Sequence, residues 1–193
     1  FLIPGLIDAH VHLESVPGMA FPQRQANPKL VKAYRQQLPR SYLFHGFTSV
    51  IDLAPGDPRV LEEIAQSPAA PDIFSCSSPL PLANGYPMVF LPEKVRFRLN
   101  PNFLYDSRQK DTIPKRFRPE DHSPEAAVSR AVKTGGICVK TFVEDGFGPQ
   151  KIWPVPTVEM LSQMKAATTK HSVPLMVHAN SFDAYHLALD GGA

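Results

Sequence analysis

Short apolar runs alternate along this chain with segments in which apolar residues recur every three or four positions, the patterns of strands and of amphipathic helices. The first run, Leu2-Ile3-Pro4-Gly5-Leu6-Ile7-Asp8-Ala9-His10-Val11-His12, predicts a strand over about 2–12. A loop with Pro17, Gly18 and Pro22 follows. Asn27-Pro28, a capping residue before a proline at the first helical position, starts a helix carrying Leu30, Val31, Tyr34 and Leu38 on one face. Pro39 is expected to kink or divide it. Residues 48–53 form a second strand, and Asp57-Pro58 starts a helix with Val60, Leu61 and Ile64 turned inward. A short third strand spans 72–77. Further on, Ser123-Pro124 starts a helix with Ala127, Val128, Ala131 and Val132 inward, and Gly135-Gly136 ends it. A fourth strand runs over 137–143, a helix capped by Thr157 follows, a fifth strand spans 174–178 and a last helix covers about 182–189.

Five strand–helix units in series select a parallel α/β architecture, and strands apolar at most positions fit a sheet covered by helices. No glycine-rich phosphate fingerprint follows any strand, which counts against a nucleotide-binding fold. A (β/α)8 TIM-type barrel fits better, with this chain covering about strands 1–5, since a whole barrel needs about 250 residues. Such barrels gather their chemistry at the C-terminal ends of the strands, and the candidate polar residues lie there. The chain opens inside a strand without an initiator methionine and ends on Asp190-Gly191-Gly192-Ala193, so it reads as a slice of a longer polypeptide.

The stretch 78–122 departs from this rhythm. It carries seven prolines and no clear periodicity, and so long a connection suggests a lid or substrate loop. Its Lys94, Arg96, Arg98, Arg108, Lys110, Lys115, Arg116 and Arg118 read as a solvated basic surface, with one arginine available for a substrate carboxylate. Tyr86 and Tyr105 lie in the same stretch, and the pattern singles out neither.

Composition narrows the picture. The 193 residues are 43% hydrophobic and 20% charged, which places the chain among globular domains. Twenty basic against eighteen acidic side chains give a net charge of +2, too balanced for a nucleic-acid surface. No apolar stretch reaches the length of a membrane span. Cys76 and Cys138 are too few for a disulfide framework and, set in strand-like runs, are expected to be buried free thiols. The compartment stays open between cytoplasm and export, and homo-oligomerisation stays open as well.

The chemistry lies in polar residues on apolar strands. His10 and His12, two apart on a strand, point to one side and can share a metal ion, although a bare H-x-H pattern describes interior histidines equally well. Lys140 interrupts Ile137-Cys138-Val139-Lys140-Thr141-Phe142-Val143, where a free ammonium is costly to bury. It either pairs with a carboxylate such as Glu144 or Asp145, or reacts with carbon dioxide to become an anionic carbamate. His178 closes the fifth strand, and Asn180 follows it as a site residue or a helix cap. His45, His122 and His171 are expected at the surface, and His186 lies on the last helix.

Pro4-Gly5-Leu6-Ile7-Asp8-Ala9-His10-Val11-His12-Leu13, Lys140 on the fourth strand and His178 closing the fifth together resemble the amidohydrolase superfamily, in element order over nearly the whole chain. Val139-Lys140-Thr141-Phe142-Val143-Glu144-Asp145-Gly146-Phe147-Gly148, with Val177-His178-Ala179-Asn180, is similar to its imidazolonepropionase-like and Xaa-Pro dipeptidase-like branch. The resemblance implies a metal-dependent hydrolase that cleaves an amide, peptide or cyclic-amide C–N bond with a metal-bridged hydroxide. It implies two divalent metal ions, zinc by the His-rich shell: His10 and His12 on one, His178 on the other, a carboxylated Lys140 bridging both. The family's sixth-strand histidine and proton-shuttling eighth-strand aspartate fall outside the chain, as would any flanking β-sandwich, so no catalytic residue is assigned within it. The implied substrates are dipeptides, N-acyl amino acids or cyclic amides. Competing readings are a mononuclear deaminase or imidazolonepropionase-type hydrolase, a lactonase or phosphotriesterase on the same shell, and a non-catalytic barrel scaffold.

Overall fold

The computed structural model describes residues 1–148 and 152–193 and divides into two compact units, Phe1–Cys76 and Ser77–Ala193. In the first, β1 (Leu6–Val11), β2 (Phe47–Asp52) and β3 (Asp72–Ser75) form a parallel sheet in that order. Parallel neighbours cannot be joined by a tight turn. The chain therefore crosses back through α1 (Phe21–Ala26) and α2 (Pro28–Phe44) between β1 and β2, and through α3 (Pro58–Ala65) between β2 and β3. Val11, Leu13, Leu38, Val50, Val60 and Ile64 close over one another as the core of this unit. The cap-proline starts appear where expected, and Asp57 accepts from the Arg59 amide at 3.0 Å. Pro39 does not divide α2. The helix runs through it, and the ring is buried in the packed face, so only one ladder hydrogen bond is forgone. Gly46, at φ +84, turns the chain out of α2, and its carbonyl accepts the Leu6 amide that opens β1.

In the second unit β4 (Val139–Val143) pairs in parallel with β5 (Leu175–Ala179). Around them lie α4 (Glu93–Leu99), α5 (Pro124–Val132), α6 (Val158–Lys170) and α7 (Phe182–Asp190). Ser123, Thr157 and Ser181 cap the last three through their hydroxyls. Val128 and Ala131 of α5 meet Met164 and Ala167 of α6 over Val139 and Leu175.

The stretch 78–122 is aperiodic but tightly held. Leu80 donates to the Lys140 carbonyl at 2.8 Å and forms a parallel bridge with Thr141, whose hydroxyl donates to the Leu80 carbonyl at 2.8 Å. The segment thus extends β4 on its other edge. Ala83 and Leu104 then pair, and Met88, Phe97, Phe103 and Ile113 bury a small core of their own. The only regular pieces described there are α4 and short 3-10 turns at Met88–Phe90, Ser107–Gln109 and Pro119–His122.

Two expectations fail, one of them in part. His122 is not at the surface: it is buried, stacks on Phe103 with ring centroids 4.0 Å apart, and its Nδ1 lies 3.0 Å from the Phe103 carbonyl. The aromatic neighbours that bury it are distant in sequence. Nor are the cysteines free thiols: both are buried, and neither is free. No helix among the described residues is long and apolar enough to cross a membrane.

Burial, aided by Arg130, holds the His122 imidazole below its ordinary pKa, against the raising effects of the Phe103 carbonyl and Asp121. A histidine depressed in the folded state binds its proton more readily unfolded. Its stabilising contribution is therefore full above the unfolded value of about 6.5 and is lost as pH falls below it. The midpoint of thermal unfolding should drop between about pH 7.5 and 5.5, and His122→Gln should flatten that slope. An unchanged slope in the variant would assign the titration to another group.

Candidate functional site

The sequence candidates fall into two groups, one in each unit. In the first, β1 carries an irregularity between Asp8 and Val11, where three steps on β1 match two on β2. Such a bulge re-aims side chains at the end of a strand. His10 lies within it and His12 just beyond the strand, and their rings converge edge to face with centroids 5.3 Å apart. The two-residue spacing does bring the imidazoles together.

Beneath them is a residue the sequence reading passed over. Asp52, the last residue of β2, is 1% exposed. Its carboxylate accepts the amides of Leu13 (2.9 Å) and Ala54 (3.0 Å), and Oδ1 stands 3.9 Å from His12 Nδ1. Burial pushes the Asp52 carboxyl above its ordinary range, although both amides and His12 work the other way. It fixes the turn out of β1 and stands beside one imidazole of the pair. The signal available in sequence was an acid at the end of an apolar strand, the same kind of anomaly that marked Lys140.

In the second unit all five residues of β4 are buried, Lys140 among them at 1% exposure. Parallel register sets Lys140 opposite Met176 and Phe142 opposite His178, so the lysine lies one alternate position below the histidine on the same face. Lys140 is thus not at the C-terminal end of its strand, as expected from the pattern, but second from its start. Its Nζ stands 5.9 Å from the centroid of the Phe142 ring, the residue level with His178. Burial pulls the Lys140 amine down to about 8. Glu144, proposed as its partner, is engaged elsewhere. Its carboxylate accepts from the Gly146 amide (3.1 Å) and Asn180 Nδ2 (3.1 Å), with Oε2 3.4 Å from His178 Nε2. Asn180 Nδ2 is also 2.9 Å from that nitrogen. Asn180 is therefore a neighbour of the candidate histidine, while Ser181 takes the capping role.

Tyr86, left undistinguished among the loop tyrosines, stacks on His178 with ring centroids 4.9 Å apart and planes at 25°. Burial, then the Glu144 charge, hold its hydroxyl above the ordinary pKa. Three of the loop arginines already have partners. Arg96 donates to Asn84 and to the Leu91 carbonyl, Arg108 to Asp106 and the Val155 carbonyl, and Arg118 to Asp121. His45 and His171 are exposed, and His186 packs against Phe182 on α7.

Among the described residues, no group of three or more His, Cys, Asp or Glu side chains is arranged to hold a metal ion. The donor chemistry nevertheless fits one: two converging imidazoles in the first unit, and in the second an imidazole beside a carboxylate with a burial-weakened amine on the paired strand.

A sequence model of the Amidohydrolase family matches residues 1–191. Among solved structures, A. niger ochratoxinase is similar at a TM-score of 0.66 and 17% identity, over 98% of this chain and 46% of that one. A Xaa-Pro dipeptidase with methionine bound in its active site gives 0.60 and 20%, over 98% and 46%. Molinate hydrolase gives 0.62 and 16%, over 98% and 44%. At these identities the likeness is one of fold, and it supports the expected partial (β/α)8 class. The chain spans less than half the length of these structures. No curated protein matches it.

Asp52→Ala should leave the Leu13 and Ala54 amides without their buried acceptor, at a cost of about 1–3 kcal/mol in stability. Asp52→Asn, which retains one side-chain oxygen, should cost less. Urea titration of the two variants distinguishes these outcomes, and equal losses would mean that charge, not amide pairing, is what Asp52 supplies.

Proposed function

Because this chain belongs to the amidohydrolase family, we propose that the protein is a metal-dependent hydrolase acting on the C–N bond of an amide, peptide or cyclic amide. The observation that carries the reading is Lys140, an amine wholly buried on an apolar strand, with burial bringing it down to about 8. A buried ammonium is costly and a neutral amine is not. The neutral form can add to carbon dioxide. Its nitrogen forms the new bond, a proton leaves, and an anionic carbamate remains that can serve as a bridging carboxylate.

In this proposal His10, His12, His178 and a carboxylated Lys140 are the residues that would hold two divalent cations, zinc being the metal that suits imidazole and carboxylate donors. When bound, such a pair supplies an acidified water and a polarised scissile carbonyl. The residues of this chain do the remaining work. Asn180 Nδ2 and Glu144 Oε2 stand 2.9 and 3.4 Å from His178 Nε2 and limit how the ring can turn. Tyr86 covers one face of that ring and keeps water from it. The substrates proposed are dipeptides, N-acyl amino acids and cyclic amides.

Metal content per chain, measured by elemental analysis on the full-length protein as isolated, tests this first, with two metals expected. Lys140→Ala should lower that number. It should also reduce kcat/KM by more than the ~10–100-fold that follows loss of a ligand's hydrogen-bond partner. A carbamate signal in the carbon-13 spectrum after incubation with labelled bicarbonate should be present in the parent protein and missing from the variant. Two metals retained in Lys140→Ala would remove it as the bridge. One metal in the parent protein, with no carbamate, would favour the mononuclear reading.

Glu144→Gln tests the support of His178. The amide keeps an acceptor but loses the charge beside Nε2, and metal affinity should fall about 10–100-fold. Unchanged affinity, followed by competition with a chelator, would confine Glu144 to a packing role.

A further inference from the structure

The second unit holds two aromatic clusters that differ in kind. Phe97, Phe103 and His122 are closed off, the phenylalanines at 6% and 0% exposure, and pack on one another and on Phe117. The cluster around Tyr86 is open. Tyr86 touches Phe90 (5.6 Å between centroids), Phe147 (5.5 Å) and Trp153 (6.1 Å) while stacking on His178, and Phe90 and Phe147 are each 60% exposed. Two large rings left in water beside a candidate ligand residue call for an occupant.

We propose that Phe90, Phe147 and Trp153, gathered round Tyr86, form a subsite for an aromatic or bulky apolar side chain of the amide substrate. This specificity site rests on the hydrolase reading above. Three observations carry it. The first is position. Tyr86 is in ring contact both with His178 and with Phe90, Phe147 and Trp153, so an apolar group held against those rings is one ring removed from the candidate histidine.

The second is shape. Phe90 and Phe147 are nearly parallel at 20°, Trp153 stands at 86° and 87° to them, and Tyr86 is parallel to Trp153 at 19°. Ring faces are thus presented in two perpendicular directions, and an incoming ring can be stacked by one wall and met edge-on by another. The third is rigidity. The Ile152 and Trp153 amides both donate to the Asp145 carbonyl (2.9 and 3.0 Å), and Arg108 donates to the Val155 carbonyl at 2.8 Å. Gly85 lies so close to the Pro154 carbonyl that a Cβ would stand 2.8 Å from it. Tyr86 and Trp153 are therefore held together by backbone before any ligand arrives, which reduces the ordering cost of binding.

The test uses the full-length enzyme, with N-acetylphenylalanine and N-acetylalanine as paired substrates and 3-phenylpropionate as a ligand that is not turned over. The phenylalanine substrate should be preferred in kcat/KM, and Phe90→Ala and Phe147→Ala should each lower that preference about tenfold, mainly through KM. Phe90→Leu, which keeps bulk, should lower it less. Calorimetry should show 3-phenylpropionate binding to the parent enzyme and about tenfold weaker binding to both alanine variants. If neither amide is cleaved but this ligand binds and is lost in the variants, the subsite stands and the hydrolase reading falls. If cleavage occurs with equal selectivity in parent and variants, or 3-phenylpropionate binds none of them or all alike, the subsite is overturned. A loss of thermal stability in the variants without either binding effect would mark these rings as packing against more of the same protein.

Discussion

Parallel pairing is the constraint from which the rest follows. A chain that lays a strand parallel to its neighbour must first return to the end of the sheet where that neighbour began, and a helix crossing over the sheet is how it does so. In the first unit this puts the ends of β1 and β2 side by side, so that His12 emerges next to Asp52. In the second it sets His178 level with Phe142 and one alternate position above Lys140. Polar residues far apart in sequence meet at strand ends because each crossover resets the direction.

The same pairing makes interiors that tolerate polar groups poorly, so those found there are informative. Asp52, Glu144 and Lys140 are each under one-tenth exposed. Asp52 and Glu144 meet the cost with backbone amides and neighbouring side chains. Lys140 meets it with a lowered proton affinity, brought down by burial. His122 makes the corresponding accommodation away from the site, where its only evident work is to fill space against Phe103.

The irregular stretch 78–122 joins these themes. Its opening residues complete the hydrogen bonding of β4 through Leu80, and its next turn brings Tyr86 onto His178. Most of its lysines and arginines are exposed. Arg96 holds the turn through Asn84 and Leu91, and Arg108 ties Asp106 to the 152–157 segment. The solvated basic surface expected from the sequence is thus present, and beside it the loop sets Tyr86 against His178.

The sequence by itself determined the alternation of strands and helices, the cap-proline starts and the candidates His10, His12, Lys140 and His178. Each rests on local chemistry: apolar period, capping geometry, or a polar residue on an apolar strand. It left open whether Pro39 kinks or divides its helix, and the structure rules out division because α2 runs through the buried ring. It misjudged His122 and the cysteines because burial and pairing are set by partners many residues away. It passed over Asp52, and it left the partners of Glu144 and the position of Tyr86 open. Only the tertiary structure decided these, since whether a carboxylate meets an amide, an imidazole or an ammonium depends on strand register and loop path, which no local pattern encodes.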